Sequence, residues 1–207
     1  MATVFDLKPR FQALLRPLVV QLAGAGITPN EVTLFALVLS AAGGSFLISV
    51  PDAPAMLLIL PVVLFLRMAL NAIDGMLARE HDMKTRRGAV LNEIGDVLSD
   101  LCLYLALIPP FLALGAAAIP VVAFCLGAVL TEFAGLLGQV IGGGRRHDGP
   151  MGKSDRALAV GVTAFLIAVF GLPVVVIDGI FVTLAIATAL TVWKRLDAAL
   201  KAAGEDG

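Results

Sequence analysis

The chain has 207 residues, 59% of them hydrophobic and only 15% charged, with a formal net charge of -1 and a mean hydropathy of +0.96. That balance is far more apolar than a soluble domain's and carries no basic surplus for a nucleic-acid surface, so both classes are excluded. The apolar-out, polar-in alternation of a membrane barrel is missing too, which leaves an all-α polytopic membrane protein.

Residues 1–25 contain Pro9 and Pro17 and a broken apolar pattern, so no cleavable signal is expected. Phe11, Leu14, Leu15, Leu18 and Leu22 recur at helical spacing opposite Arg10, Arg16 and Gln21, which predicts an amphipathic helix lying in the membrane interface. About six apolar stretches follow, each close to the roughly 20 residues that span a bilayer. They fall near 29–50, 54–79, 89–113, 118–142, 155–172 and 174–195. The first opens on Thr28-Pro29-Asn30-Glu31, a capping box with Pro at the first helical position. Cys102 and Cys125 fall inside apolar helices and read as buried thiols rather than a disulfide or a metal site.

Orientation follows from the basic residues. Lys8, Arg10 and Arg16 precede the first span, Arg79, Lys84, Arg86 and Arg87 separate the second and third, Arg145, Arg146, Lys153 and Arg156 separate the fourth and fifth, and Lys194, Arg195 and Lys201 close the sixth. Only Arg67 lies within a span, while the opposite loops carry no Lys or Arg. The positive-inside rule therefore predicts both termini on the cytoplasmic side, in a prokaryotic inner membrane. The whole chain reads as one membrane domain: a cytoplasmic amphipathic segment at 1–25, a six-helix bundle at 26–197, and a cytoplasmic tail at 198–207, frayed after Ala202. Trp193, beside Lys194 and Arg195, reads as an interfacial anchor.

Against this background residues 71–96, NAIDGMLAREHDMKTRRGAVLNEIGD, are densely polar. Ionisable groups at membrane depth cost several kcal/mol, roughly, and so mark function. On the second span Arg67, Asn71, Asp74 and Ala78 share one helical face; on the third Gly88, Asn92, Asp96 and Asp100 share another, with Glu93 alongside. A short loop, Glu80 to Arg87, predicts that these helices are antiparallel neighbours whose polar faces meet. Oxygen donors without nearby Cys or His suit Mg²⁺ or Mn²⁺. Such a cation beside Arg79 and a basic loop suits a diphosphate, which points to metal-assisted phosphoryl transfer at a membrane surface.

These residues resemble the signature of the CDP-alcohol phosphotransferases, D-x2-D-G-x2-A-R-x8-G-x3-D-x3-D. Asn71 to Asp96 reads N-x2-D-G-x2-A-R-x8-G-x3-N-x3-D, with the spacing intact and Asn at two of the four Asp positions. Gly26-Ile27-Thr28-Pro29-Asn30 with Val32 and Thr33 resembles the family's approach to its first span. The resemblance implies metal ligands at Asn71, Asp74, Asn92 and Asp96, and a cytidine diphosphate site at Asp74, Gly75, Ala78, Arg79 and Gly88. Asp96 would deprotonate the attacking alcohol. The reaction would transfer a phosphatidyl group from CDP-diacylglycerol to an acceptor alcohol, releasing CMP, within a homodimer bathed in membrane lipids. A donor such as CDP-choline or CDP-ethanolamine with diacylglycerol as acceptor is the related alternative.

Asn at 71 and 92 removes two negative charges from the expected metal site, and Glu93 and Asp100 are the carboxylates expected to restore them. A member without catalysis, keeping nucleotide or metal binding as a membrane scaffold, is the competing expectation. A small transporter is disfavoured, because no repeat or midplane broken helix is evident. Lys153 and Arg156, in GPMGKSDR, are candidates for an acceptor or lipid phosphate, and the basic loops point to an anionic acceptor. Arg67 is expected to pair with Asp100 or Glu132.

Overall fold

The computed structural model describes residues 4–204, with side chains from residue 9 onward. Residues 1–3 of the expected amphipathic segment and 205–207 of the expected tail lie outside the described residues. Eight α-helices and two short 3-10 turns, with no strand, account for the described fold.

Helix α1, Val4–Gly24, runs through Pro9 and Pro17. Its predicted apolar stripe is divided between two surroundings. Val19 is fully buried against Val32, Ile73, Met76 and Leu77, with Leu15 and Leu22 packed beside it, whereas Leu14 and Leu18 stay exposed. An Arg16–Glu80 ion pair, 3.0 Å, ties this helix to the bundle.

Helix α2, Pro29–Ser49, starts at the predicted box: the Thr28 hydroxyl accepts from the Glu31 N–H at 3.3 Å, and the Glu31 carboxylate accepts from the Thr28 N–H at 2.7 Å. A 3-10 turn at Pro54–Leu58 leads into α3, Ile59–Glu80. Helix α4, Arg86–Tyr104, is capped by the Thr85 hydroxyl accepting from the Gly88 N–H at 2.9 Å. The predicted third span is then broken by a 3-10 turn at Leu105–Leu107 before α5, Ile108–Ala113. Pro109 and Pro110 explain the break, since neither can donate to a carbonyl four residues back and each ring crowds it. Helices α6, Ala118–Val140, α7, Lys153–Phe170, and α8, Val174–Ala202, complete the chain.

Among the described residues, five helical segments are long and apolar enough to cross a membrane. The expected span at 155–172 folds as α7, whose 18 residues open with Lys153, Asp155 and Arg156. One side packs against α3 and the 3-10 turn at Pro54–Leu58, while Leu158, Val162, Phe165 and Val169 form an exposed apolar face.

Close crossings hold the bundle. At Gly44 a Cβ would lie 2.2 Å from the Cys102 carbonyl oxygen, and at Gly127 one would lie 2.0 Å from the Thr188 hydroxyl, so α2 meets α4 and α6 meets α8 where only a hydrogen fits. Phe111, Phe124 and Phe181 stack edge to face in the larger apolar core. Helix α2 packs along both α3 and α4 and stands between them. The predicted polar faces meet at Arg67, which reaches Asp96 and Asp100, and on the Arg79 side they border a gap that is the site.

Candidate functional site

The gap is a cleft of about 520 Å³. Its floor is the start of α2, with Pro29, Asn30 and Thr33; α3 supplies Asn71, Asp74, Gly75, Ala78 and Arg79; the loop and α4 supply Lys84, Thr85, Gly88, Asn92 and Asp96. Every residue that the resemblance assigned to metal or nucleotide thus faces one space. Close approach explains the small residues: a Cβ on Gly75 would sit 3.0 Å from the Arg79 guanidinium, and one on Gly88 would sit 2.7 Å from the Asn30 Oδ1.

Asp74 is 5% exposed and accepts a 2.9 Å hydrogen bond from the Thr33 hydroxyl. Among the described residues it forms no ion pair. A buried carboxylate without a cationic partner is costly. With the Asp96 carboxylate and the two Asn amides it makes an all-oxygen donor set, which fits a hard divalent cation. Only two of the four signature positions are acidic. Among the described residues no three Asp, Glu, His or Cys side chains converge as a metal cluster.

Asp96 does not stand alone. The Lys153 ammonium, reaching in from the start of α7, pairs directly with it, and a guanidinium nitrogen of Arg67 lies 3.8 Å away. Lys153 also lines the cleft, beside the groups of the expected metal site.

The expected extra ligands are elsewhere. Asp100 is 4% exposed and is held between Arg67 and the Arg156 guanidinium, the latter at 3.0 Å. Glu93 turns to Arg145 and takes both its terminal nitrogens. Neither lines the cleft. The idea that they restore the missing charge is therefore corrected: a carboxylate held by a guanidinium fork would have to give up that partner to reach a metal. Arg156 is corrected likewise. It is completely buried, donating to the Thr131 hydroxyl at 2.8 Å, the Met151 carbonyl at 3.2 Å and the Glu132 carboxylate at 2.9 Å, so it braces α4, α6 and α7 rather than meeting a phosphate. Arg67 takes Asp100, one of its two expected partners, and donates to the Asp96 carbonyl at 2.9 Å. Glu132, the other, serves Arg145, Arg156 and Arg195. In the loop after α6, the hydrogen bond from Arg146 holds the Asp148 carboxyl below the usual carboxylate range.

Thr33 and Asn30 contribute to the cleft without having been assigned to it from the sequence. They lie one turn apart on the same face of α2, Asn30 within the capping box and Thr33 just beyond it, and the structural role of the box accounted for that segment.

The match to the CDP-alcohol phosphatidyltransferase family profile spans residues 26–193. The inner membrane protein YnbA of Escherichia coli (strain K12) is 49% identical over 171 residues, 81% of this chain and 82% of that one. A protein of Aquifex aeolicus (strain VF5) is 40% identical over 110 residues, 53% of this chain and 50% of the other. Among solved structures, the phosphatidylinositol phosphate synthase of Mycobacterium tuberculosis in complex with manganese and citrate superposes with a TM-score of 0.74 at 23% identity, covering 88% of this chain and 87% of that one. The same enzyme with CDP-DAG bound gives a TM-score of 0.74 at 23% identity over 89% of this chain and 92% of that one. The chain belongs to the CDP-alcohol phosphatidyltransferase family.

Proposed function

We propose that this member of the family moves a phosphatidyl group from CDP-diacylglycerol to the hydroxyl of an acceptor alcohol, releasing CMP. One observation carries the reading: Asp74, Asp96, Asn71, Asn92, Arg79 and the small residues Gly75, Ala78 and Gly88, drawn from separate helices, line a single cleft at the basic end of a membrane bundle. The crystallised mycobacterial relative, which binds CDP-DAG and manganese, supports the same donor and a divalent cation.

In this mechanism Arg79 binds the diphosphate, and Gly75, Ala78 and Gly88 leave room for the cytidine. Asn71, Asp74, Asn92 and Asp96 would hold Mg²⁺ or Mn²⁺, which supplies charge neutralisation on the diphosphate oxygens. Thr33 fixes the rotamer of Asp74 through its hydrogen bond. The acceptor oxygen forms a bond to the phosphorus bearing diacylglycerol, the bridging P–O bond breaks with its electron pair leaving on CMP, and the acceptor proton passes to Asp96. Asp96 is paired with Lys153 at rest, so it exchanges that contact for the acceptor hydroxyl. The cleft opens to the cytoplasm in this reading, by the one-sided distribution of basic residues. The chain works as a homodimer, as the family resemblance implies.

The test is CMP release by the detergent-purified protein given CDP-diacylglycerol, Mn²⁺ or Mg²⁺ and a panel of alcohols. Cation-dependent release, abolished in Asp96→Asn, is the expected result. A second reading rests on Asn71, Asn92 and the Lys153–Asp96 pair, which together reduce the negative charge open to a metal: a nucleotide- or metal-binding scaffold without turnover. Nucleotide binding with no release from any donor would select it. Release from CDP-choline or CDP-ethanolamine with diacylglycerol alone would select the related transferase class.

A further inference from the structure

Arg67, Arg145 and Arg156 pair with carboxylates of the α4 residues 93–100, Arg195 reaches Glu132 behind them, and none of the four lines the cleft. A phosphorylated alcohol approaching Asp96 would need a cation there, and arginine forks are the usual means of gripping a phosphate. Each fork is already filled. Arg156 and Arg195 are buried, and the Arg195 guanidinium donates to the Asp148 carbonyl at 3.2 Å and to the Thr131 carbonyl. Arg67 is taken by Asp100 and the Asp96 carbonyl.

Of these four arginines only Arg145 is partly exposed: its side chain and that of its partner Glu93 are 29% and 27% exposed. Glu93 occupies both terminal nitrogens of Arg145, in the two-pronged geometry that a phosphate would otherwise adopt, and Glu132 adds negative charge 3.6 Å from the same group. Lys153, paired with Asp96 at rest, and Lys84 in the cleft are single ammonium groups, which lack the two-pronged grip of an arginine fork on a phosphate. A phosphate entering here would displace a carboxylate and leave it facing a dianion.

We propose that the acceptor is an alcohol carrying no phosphate, and that Glu93, by filling the Arg145 fork, excludes the phosphorylated counterpart. This reverses the expectation drawn from the basic loops, and it rests on the transferase reading above. Glu93 is a specificity-determining residue in this scheme, and not a metal ligand.

Binding and turnover test the two levels separately. With the cleft saturated by CDP and Mn²⁺, glycerol 3-phosphate is titrated calorimetrically into wild type, Glu93→Gln and the double variant Glu93→Gln/Arg145→Met. The expected result is binding about tenfold or more tighter in Glu93→Gln than in wild type, lost again in the double variant. Wild type binding glycerol 3-phosphate as tightly as Glu93→Gln overturns the proposal. In parallel, CMP release is followed with glycerol against glycerol 3-phosphate and inositol against inositol phosphate. A wild-type preference for the unphosphorylated member, narrowed in Glu93→Gln, supports the proposal; a preference for the phosphorylated member overturns it. Absence of CMP release with every alcohol removes the transferase reading instead, and the titration still decides whether Glu93 closes the fork.

Discussion

Two polar regions lie side by side at one end of this apolar bundle, and their side chains are arranged on opposite terms. In the cleft between α3 and α4, Asp74 keeps a hydroxyl partner but no ion pair, and Asn71 and Asn92 line open space. Behind it, between α4, α6, α7 and α8, Asp100 and Glu132 are each shared by at least two arginines, and Arg156 is wholly buried. Both regions would look equally functional in a list of ionisable residues near a membrane. Partner saturation separates most of them: Asp74, Asn71 and Asn92 are left short of partners and available to a ligand, Asp100 and Glu132 are saturated and hold helices together, and Asp96, paired with Lys153, stands at the boundary.

The sharpest way to break that contrast is to remove one group from each side. Asp96→Asn should lower CMP release by about 100-fold to 10⁴-fold, the range for loss of a general base, while the unfolding midpoint changes little. Asp100→Ala should do the reverse. Two buried guanidinium groups lose their carboxylate, and about 3–5 kcal/mol of stability should go with it, read as a lower midpoint in detergent denaturation. Destruction of Mn²⁺ binding by Asp100→Ala in folded protein would blur the two regions into one.

Restoring charge to the open side sharpens the comparison. Asn71→Asp with Asn92→Asp should tighten Mn²⁺ binding about tenfold or more, since ligand charge tunes affinity over decades, as followed by electron paramagnetic resonance titration. Thr33→Val has a smaller expected effect. It removes one hydrogen bond to a carboxylate, about 1.5–3 kcal/mol at most, and should raise the Mn²⁺ concentration needed for half-maximal CMP release. Arg16→Gln, at the exposed pair with Glu80, should leave both midpoint and turnover unchanged.

Much of the site was legible because its spacing is local. Asn71, Asp74 and Ala78 had to share a helical face, as did Gly88, Asn92 and Asp96, and the structure brings all six to one cleft. The misassigned residues were those whose meaning depends on distant partners. Glu93 and Asp100 fit the same helical register as the ligands, and nothing within α4 distinguishes them. Arg145 lies 52 residues from Glu93, and Arg156 lies 56 from Asp100. Arg156 looked like a phosphate binder for the same reason, since its position after Lys153 near a basic loop gave no hint that α7, starting at Lys153, would carry it inward to Asp100 and Glu132.

Composition, hydropathy and the 3.6-residue period by themselves determined that the chain is a helical membrane bundle, where its first span starts, and which polar residues share a face. These are properties of contiguous stretches, and a stretch carries its own record of them. Only the tertiary structure decided that α2 wedges α3 and α4 apart into a cleft, and which carboxylates are neutralised by arginine. Both depend on how closely helices distant in sequence approach, and that distance is set by packing at positions such as Gly44 and Gly127, where a single Cβ would hold the helices apart.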